Sequence, residues 1–245
     1  MIFIVVIISL LIGSFATCFG CRLFSDNFNF KDLVYGRSKC NDCHKTLKWF
    51  MLIPVVSYFS LGRKCFFCNS PVSLVYPIFE LLNCLIWVLI YFVYGLNLSS
   101  VLLALTYSIL MINVISDLRN YLASDFVSFL ATVMSLLFLL STKSESVLIH
   151  IFYTSLVVLF FYLIAKITSK FMNQESLGFG DIKGIIPMLL LCNDGLHMIG
   201  FMFLIGIFGI WFGLLWQFYT KEKYMPYLPV MFLCSFQLSL IYEKI

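Results

Sequence analysis

Charged residues are scarce in this chain of 245 residues: only 11% are Asp, Glu, Lys or Arg, against about 25% in a soluble domain. This scarcity excludes an ordinary soluble globular protein. The chain also lacks a basic segment and a clear small-residue cleavage site near its start, which argues against a cleavable signal peptide. We therefore expect the first apolar run, from Met1 to about Cys21, to be a membrane span.

Long apolar runs make up most of the sequence, and 62% of its residues are hydrophobic. The runs have the length of bilayer spans, about 20 residues. They predict an all-α polytopic membrane protein with about eight transmembrane helices. The predicted spans are residues 2–20, 72–94, 98–116, 126–141, 147–166, 182–193, 196–218 and 228–242.

Three domains follow from this pattern. Residues 1–21 form the first transmembrane helix, residues 22–71 form a polar loop domain, and residues 72–245 form the transmembrane core. With eight spans, the loops at 22–71, 117–125, 166–183 and 219–227 share one side of the membrane. They hold fourteen of the sixteen basic residues, all except Lys143 and Lys244. By the positive-inside rule these loops face the cytoplasm and both termini lie outside.

Two aspartates stand at the cytoplasmic ends of apolar runs. Asp181 follows two glycines, Gly178 and Gly180, and Asp117 ends the third predicted span. Two close carboxyl groups cannot both ionise, so they share one proton, and together they activate water and polarise a peptide carbonyl. The glycines allow a substrate backbone to approach and permit positive φ. We interpret the pair as an aspartyl protease centre.

Each aspartate also has a purely structural interpretation. Asp181 is a suitable N-cap for the sixth span, and Asp117 is a suitable interfacial residue at the end of the third. Asp125 is the rival for the second carboxylate; it starts the fourth span and is retained as support or substrate contact. Lys183 follows Asp181 by two residues, where it anchors the helix end to lipid headgroups or biases the proton affinity of Asp181.

Four of the nine cysteines form two Cys-x-x-Cys pairs, with 21 residues between the pairs. They lie in a basic loop expected in the reducing cytoplasm, where disulfides are rare. Four thiolates in this arrangement suit a tetrahedral structural zinc ion, which would fold a loop too polar to form its own core. A redox dithiol and unrelated free thiols are the alternatives. The predicted ligands are Cys40, Cys43, Cys65 and Cys68.

These motifs resemble the bacterial type 4 prepilin peptidases, membrane aspartyl proteases with a Gly-x-Gly-Asp motif. The resemblance is spread over most of the chain, in the family's order. It rests on Gly13-Ser14-Phe15, residues 36–40, 52–58, 62–68 and 76–80, Asp117, residues 178–183 and the proline pair at 226–229.

The resemblance implies that Asp117 and Asp181 cut the leader of prepilins or pseudopilins on the cytoplasmic side of the inner membrane. The cut follows a glycine, and the new terminus is commonly Phe. Many members then methylate that terminus with S-adenosylmethionine. The cysteine loop corresponds to the family's zinc-binding loop. Acidic membrane lipids are the simplest partner for the basic surface, and no nucleic acid is expected to bind directly.

Departures from the family pattern concern substrate binding and methyl transfer. Thr17, Phe24 and Ser124 stand where the family often has Asn, Pro and Pro. Glu80, at a family position inside the second span, either orients substrate or cofactor or is a satisfied buried carboxyl bonded to Tyr76 or Asn83. Two other functions stay open. One is a non-catalytic membrane scaffold that docks through its zinc loop, and the other is a thiol redox enzyme without bound metal.

Overall fold

The computed structural model describes residues 1–24, 36–142, 147–172, 178–192, 194–221 and 224–241. These residues form helices and no strands, with two isolated β-bridges, Lys39–Thr46 and Lys64–Pro71. The predicted all-α class is confirmed. The α-helices, in chain order, are α1 (Ile2–Arg22), α2 (Val56–Ser60), α3 (Val75–Tyr94), α4 (Leu98–Asn120), α5 (Asp125–Thr142), α6 (Val147–Met172), α7 (Phe179–Leu190), α8 (Gly195–Thr220) and α9 (Leu228–Ile241), and a 3₁₀ helix spans Trp49–Leu52.

Helices occupy all eight positions where spans were predicted, but they differ in length. Within the described ranges, six are long and apolar enough to cross a membrane: α1, α3, α4, α5, α6 and α8. The other two are shorter, with 12 residues in α7 and 14 in α9. At about 1.5 Å per residue, α7 extends roughly 18 Å, well short of a hydrocarbon core of about 30 Å.

The chain divides into two compact units, Met1–Leu89 and Ile90–Ile245. In the first unit α1 packs closely on α3. The Asn83 side chain is fully buried and donates a hydrogen bond of 2.7 Å to the Ser9 carbonyl. A Cβ atom on Gly13 would lie 2.9 Å from the Cβ of Asn83, so only glycine permits this approach. Small residues and interhelical hydrogen bonds are typical of helix packing in lipid.

The second unit is built around α4. The side chain of Tyr107 is fully buried, and its ring makes edge contacts with those of Phe232 and Phe236 on α9. Its hydroxyl donates a hydrogen bond of 3.1 Å to the Ser239 hydroxyl. These contacts hold α9 against α4 and help to position the start of α9.

The α1–α3 contact can be tested by replacing Gly13 with a residue that has a larger side chain. We expect Gly13→Val to destabilise the protein by about 1–3 kcal/mol, because the new side chain overlaps Asn83 in a packed interface. Thermal unfolding in detergent measures the change. Gly206→Val is the matched control, since no atom lies within 4 Å of the Cβ it would add. Equal shifts in the melting temperature of the two variants would contradict the contact.

Candidate functional site

Asp117 lies inside the last turn of α4 rather than at its end. The helix continues to Asn120, and Tyr121 terminates it in the left-handed conformation with φ 54°, donating its N–H to the Asp117 carbonyl at 2.9 Å. The helix therefore extends four residues beyond the predicted end of this span at residue 116, and Asp117 belongs to its last turn. Its side chain is buried, with 6% exposed.

The Asp117 carboxylate faces the first residues of α9. Its Oδ2 accepts a hydrogen bond of 3.0 Å from the Leu228 N–H, and the neighbouring Tyr227 amide also interacts with it. The first N–H groups of a helix have no partner within the helix. Pro229 supplies no N–H and favours the start of a helix at this point. Asp117 thus satisfies a helix N-terminus 111 residues away in sequence.

Asp181 lies in the first turn of α7, and Gly178, not Asp181, is the N-cap of that helix. The N-cap interpretation of Asp181 was therefore wrong. Its carboxylate instead folds back and interacts with the Gly178 backbone amide. Burial raises the pKa of the Asp181 carboxyl to about 6, and the hydrogen bond from Gly178 acts in the opposite direction.

The structure brings Asp117 and Asp181 together, close enough for their charges to interact. Tyr227 lies beside them. Burial raises the pKa of its phenol, and the negative charge of Asp181 raises it further. The Tyr227 hydroxyl donates a hydrogen bond of 3.1 Å to the Ile205 carbonyl on α8. The two carboxyls therefore lie near the point where the last turn of α4 and the first turns of α7 and α9 converge.

The glycines of the motif are needed for their small size. Gly178 has φ −68°, and Gly180 is not among the residues with positive φ, so neither glycine uses the positive φ that glycine permits. A Cβ on Gly178 would lie 3.3 Å from Oδ2 of Asp181, and one on Gly180 would lie 3.1 Å from the Cβ of Ala123. Side chains at these positions would crowd the carboxylate and push α7 away from the loop between α4 and α5.

The loop between α4 and α5 is held by side chains of α4. Oδ1 of Asn113 accepts a hydrogen bond of 3.1 Å from the Ser124 amide, and the Ser116 hydroxyl donates one of 2.8 Å to the Leu122 carbonyl. Sequence reasoning missed this support. The loop gives Gly180 a fixed surface to pack against and so helps to position the start of α7.

Asp125 and Lys183 form an ion pair with a distance of 2.6 Å between Oδ1 and Nζ. Asp125 is the first residue of α5, and Lys183 follows Asp181 on α7, so the pair joins these two helices. The Asp125 side chain is 74% exposed, unlike the buried Asp117. In the resting structure Lys183 interacts with Asp125, and this contact agrees with a supporting role for both.

Glu80 belongs to the first unit and is a satisfied buried carboxyl. Its Oε2 accepts a hydrogen bond of 2.7 Å from the Val55 N–H, and the Ser14 hydroxyl also interacts with it. These partners differ from the Tyr76 and Asn83 suggested by the sequence. Val55 has φ 60°, rare for a β-branched residue, in a tight turn closed by a 2.5 Å hydrogen bond from the Val56 N–H to the Pro54 carbonyl. Glu80 holds this strained turn in place, which no local sequence signal indicates.

The four predicted cysteine ligands form one cluster, with all sulfur atoms within 4.8 Å of one another. The sulfur atoms of Cys40 and Cys68 are 3.8 Å apart. Tetrahedral zinc with Zn–S bonds of about 2.3 Å gives the same separation, about 3.8 Å. The cluster can therefore hold a metal ion. His44, which follows Cys43 directly in the sequence, is not part of the cluster.

The two Cys-x-x-Cys turns have the same backbone structure at a 25-residue offset, a structural repeat that the sequence analysis missed. The Cys40 carbonyl accepts from the His44 N–H at 3.0 Å, and the Cys65 carbonyl accepts from the Asn69 N–H at 2.9 Å. His44 and Asn69 both have positive φ, 55° and 59°. The Cys43 backbone amide lowers the pKa of the Cys40 thiol to about 6, which favours the thiolate needed for metal binding.

Comparisons with known proteins add an independent result. Residues 7–94 match the family described as bacterial peptidase A24 N-terminal domain. The prepilin leader peptidase/N-methyltransferase of Vibrio cholerae serotype O1 is 27% identical over 181 residues, 72% of each chain. The proteins of the same name from Myxococcus xanthus and Bacillus subtilis are 33% identical over 81 residues and 29% identical over 136 residues.

The coverage of these relatives differs. The alignments span 33% of this chain and 23% of the Myxococcus protein, and 54% of this chain and 53% of the Bacillus protein. No solved structure matches the chain. The resemblance predicted from the motifs is nevertheless confirmed: this chain is similar in sequence to several proteins named prepilin leader peptidase/N-methyltransferase.

Proposed function

We propose that this chain is an aspartyl endopeptidase of the bacterial inner membrane that cleaves the leader of prepilins or pseudopilins at the cytoplasmic face. The observation that carries the proposal is the approach of two carboxyls, the buried Asp117 and the partly exposed Asp181, near the first turns of two short helices. The names of the relatives, prepilin leader peptidase/N-methyltransferase, supply the substrate class.

The pair performs hydrolysis without a covalent intermediate. One carboxylate takes a proton from water as the water oxygen attacks the scissile carbonyl carbon, and the protonated partner donates its proton to the carbonyl oxygen. The resulting tetrahedral diol collapses, the C–N bond breaks, and a carboxyl returns a proton to the leaving amine. The backbone amides of Leu228 and Gly178 orient the two carboxyls during these steps.

Zinc is the metal that we assign to the cysteine cluster, because four thiolates in a tetrahedral arrangement form a closed structural site. Cys40, Cys43, Cys65 and Cys68 would hold the ion and join the two turns. The ion would supply cross-linking for this part of the chain and takes no part in the hydrolysis.

S-adenosylmethionine, a possible cofactor, is implied only by the N-methyltransferase part of the relatives' names. Glu80, the residue that the sequence suggested for orienting the cofactor, is buried and bonded to the Val55 amide and to Ser14. We therefore derive no methyl-transfer step. The mass of the cleaved product tests directly whether this chain has the N-methyltransferase activity that the relatives' names state.

We expect Asp117→Asn and Asp181→Asn each to lower the cleavage rate by at least about 100-fold, because each removes an acid–base group from the pair. Purified protein in detergent is mixed with a pseudopilin whose leader ends in Gly before Phe, and the product is read by mass spectrometry with S-adenosylmethionine present. The Asn side chain still offers an oxygen to the Leu228 N–H, so the fold should persist.

Asp194→Asn is the matched control for these variants. Asp194 caps α8 through the His197 N–H at 3.0 Å, and Asn caps helices equally well. An Asp181→Asn variant that cleaves at the wild-type rate would end the proposal. Folded, metal-bound wild-type protein that never cuts would favour the non-catalytic scaffold.

A third substitution tests whether Asp125 has a supporting role or is one of the two catalytic carboxyls. We expect Asp125→Asn to lower the cleavage rate by less than about 10-fold, because exposed ion pairs contribute at most about 1 kcal/mol. The same product assay measures it. If Asp125 were the second carboxylate, its substitution would abolish cleavage while Asp117→Asn would not.

The metal assignment predicts about one zinc ion per chain for a closed four-thiolate site, measured by elemental analysis of the purified protein. Cys65→Ser should lose most of this zinc, whereas Cys84→Ser, which changes a cysteine of α3 outside the cluster, should keep it. Absence of metal together with reactive thiols would favour the redox alternative instead.

A further inference from the structure

The cysteine lobe, defined as residues 36–74, carries a row of four aromatic rings that joins its two halves. Neighbouring ring centroids along the row lie 6.0, 5.9 and 5.6 Å apart, in edge-to-face geometry. Two lysine ammonium groups lie over the rings, at 5.7 Å from Phe66 and 5.3 Å from Phe67. This aromatic row consists of Trp49, Phe50, Phe66 and Phe67, and its lysines are Lys48 and Lys45.

Two rings of the aromatic row, those of Trp49 and Phe66, are largely exposed. Trp49 is 77% exposed and Phe66 is 54% exposed, and Leu52 and Ile53 continue the exposed apolar surface along the chain. Exposed apolar surface of this kind marks an interaction site. Phe66 lies between the ligand cysteines Cys65 and Cys68, so binding of metal to those residues would fix its position.

The charge of the lobe selects the class of partner. Its basic residues are Arg37, Lys39, Lys45, Lys48, Arg63 and Lys64, six in all, against the single acidic residue Asp42. An excess of positive charge beside exposed aromatic rings is complementary to a surface that is anionic outside and apolar beneath. The headgroup region of a bilayer with acidic lipids is such a surface, and Trp is enriched there.

The connections of the lobe place that surface within reach. The lobe passes directly into α3, which begins at Val75, and α1 ends at Arg22. Both helices are long and apolar enough to cross a membrane. The lobe is therefore tethered at its two ends to membrane-crossing segments, on the side where the basic loops predict the anionic cytoplasmic leaflet.

We infer that the aromatic row of the cysteine lobe lies in the headgroup region of the cytoplasmic leaflet, with Trp49 and Phe66 at the acyl boundary and Lys45 and Lys48 on acidic lipid phosphates. A lipid partner is complementary to both the charges and the rings, and the tethering keeps the lobe within reach of it. This inference concerns the lobe alone and does not depend on the protease proposed above.

Trp49 itself is the reporter that tests the inference. The full chain with zinc bound, and with Trp87, Trp211 and Trp216 each replaced by Phe, is placed in nanodiscs of phosphatidylcholine alone or mixed with phosphatidylglycerol. We expect the Trp49 emission to shift to shorter wavelength in the anionic discs, to be quenched by brominated lipid and to be shielded from aqueous iodide. A variant that keeps only Trp211, 66% exposed on α8, is the positive control for lipid quenching.

The lysines are tested in the same background. Lys45→Gln with Lys48→Gln should abolish the difference between anionic and neutral discs. Lys166→Gln with Lys170→Gln, which removes the same charge from α6, should leave the difference intact. Zinc content is measured in every sample, so that loss of the metal is recognised.

Two results would overturn the inference. Iodide quenching of Trp49 without quenching by brominated lipid, in both kinds of disc, would show that the row faces water. Shielding of Trp49 from both quenchers only after a pseudopilin peptide is added would show that the row binds protein instead. Neither result bears on whether Asp117 and Asp181 cleave that peptide, so the two proposals fail separately.

Discussion

A buried polar group needs a partner within the protein when water is absent, and this constraint determines the site. Asp117 is buried in the last turn of a membrane-length helix, where an unpaired carboxylate would be costly. The first turn of α9 has the matching deficit, an N–H group without a helical acceptor. The 3.0 Å hydrogen bond from Leu228 to Asp117 satisfies both at once. It also leaves a carboxylate beside the start of α7, where Asp181 lies.

Three glycines show how closely the surrounding elements approach this point. Gly180 faces Ala123 of the loop between α4 and α5, and Gly184 faces Leu228 so closely that a Cβ would overlap that side chain. Gly178 leaves room for the carboxylate of Asp181. Side-chain size, rather than backbone conformation, therefore explains why glycine recurs along the start of α7. This close packing keeps the start of α7, and with it Asp181, next to Leu228 and the Asp117 carboxylate that it binds.

The sequence predicted the features that depend on local pattern and missed those that depend on distant contacts. Hydropathy located the helices, because a span must satisfy its backbone hydrogen bonds internally whatever surrounds it. The spacing of the cysteines predicted their cluster, because two tight turns with the same cysteine spacing present their thiols in the same way. By contrast, the Leu228 amide lies 111 residues from Asp117 and the Val55 amide lies 25 residues from Glu80. Nothing in the local sequence around Asp117 or Glu80 indicates these backbone partners. The hydrogen bonds of these two carboxyls were therefore the features that the sequence predicted least.

The cysteine lobe and the helical core depend on different interactions for their stability. The core buries large side chains such as Tyr107, Leu110 and Ile115 almost completely. In the lobe most side chains are exposed, and its buried hydrophobic residues are few: Met51, Tyr58 and Cys65 among the residues described there. So few buried groups offset little of the entropy lost on folding. Two turns with matching backbone hydrogen bonds converge on four sulfur atoms, and one bound ion would fix both turns and so supply the missing constraint. With an ion stabilising the lobe, the aromatic side chains around the cluster would not need to be buried and would stay available for contact with a partner.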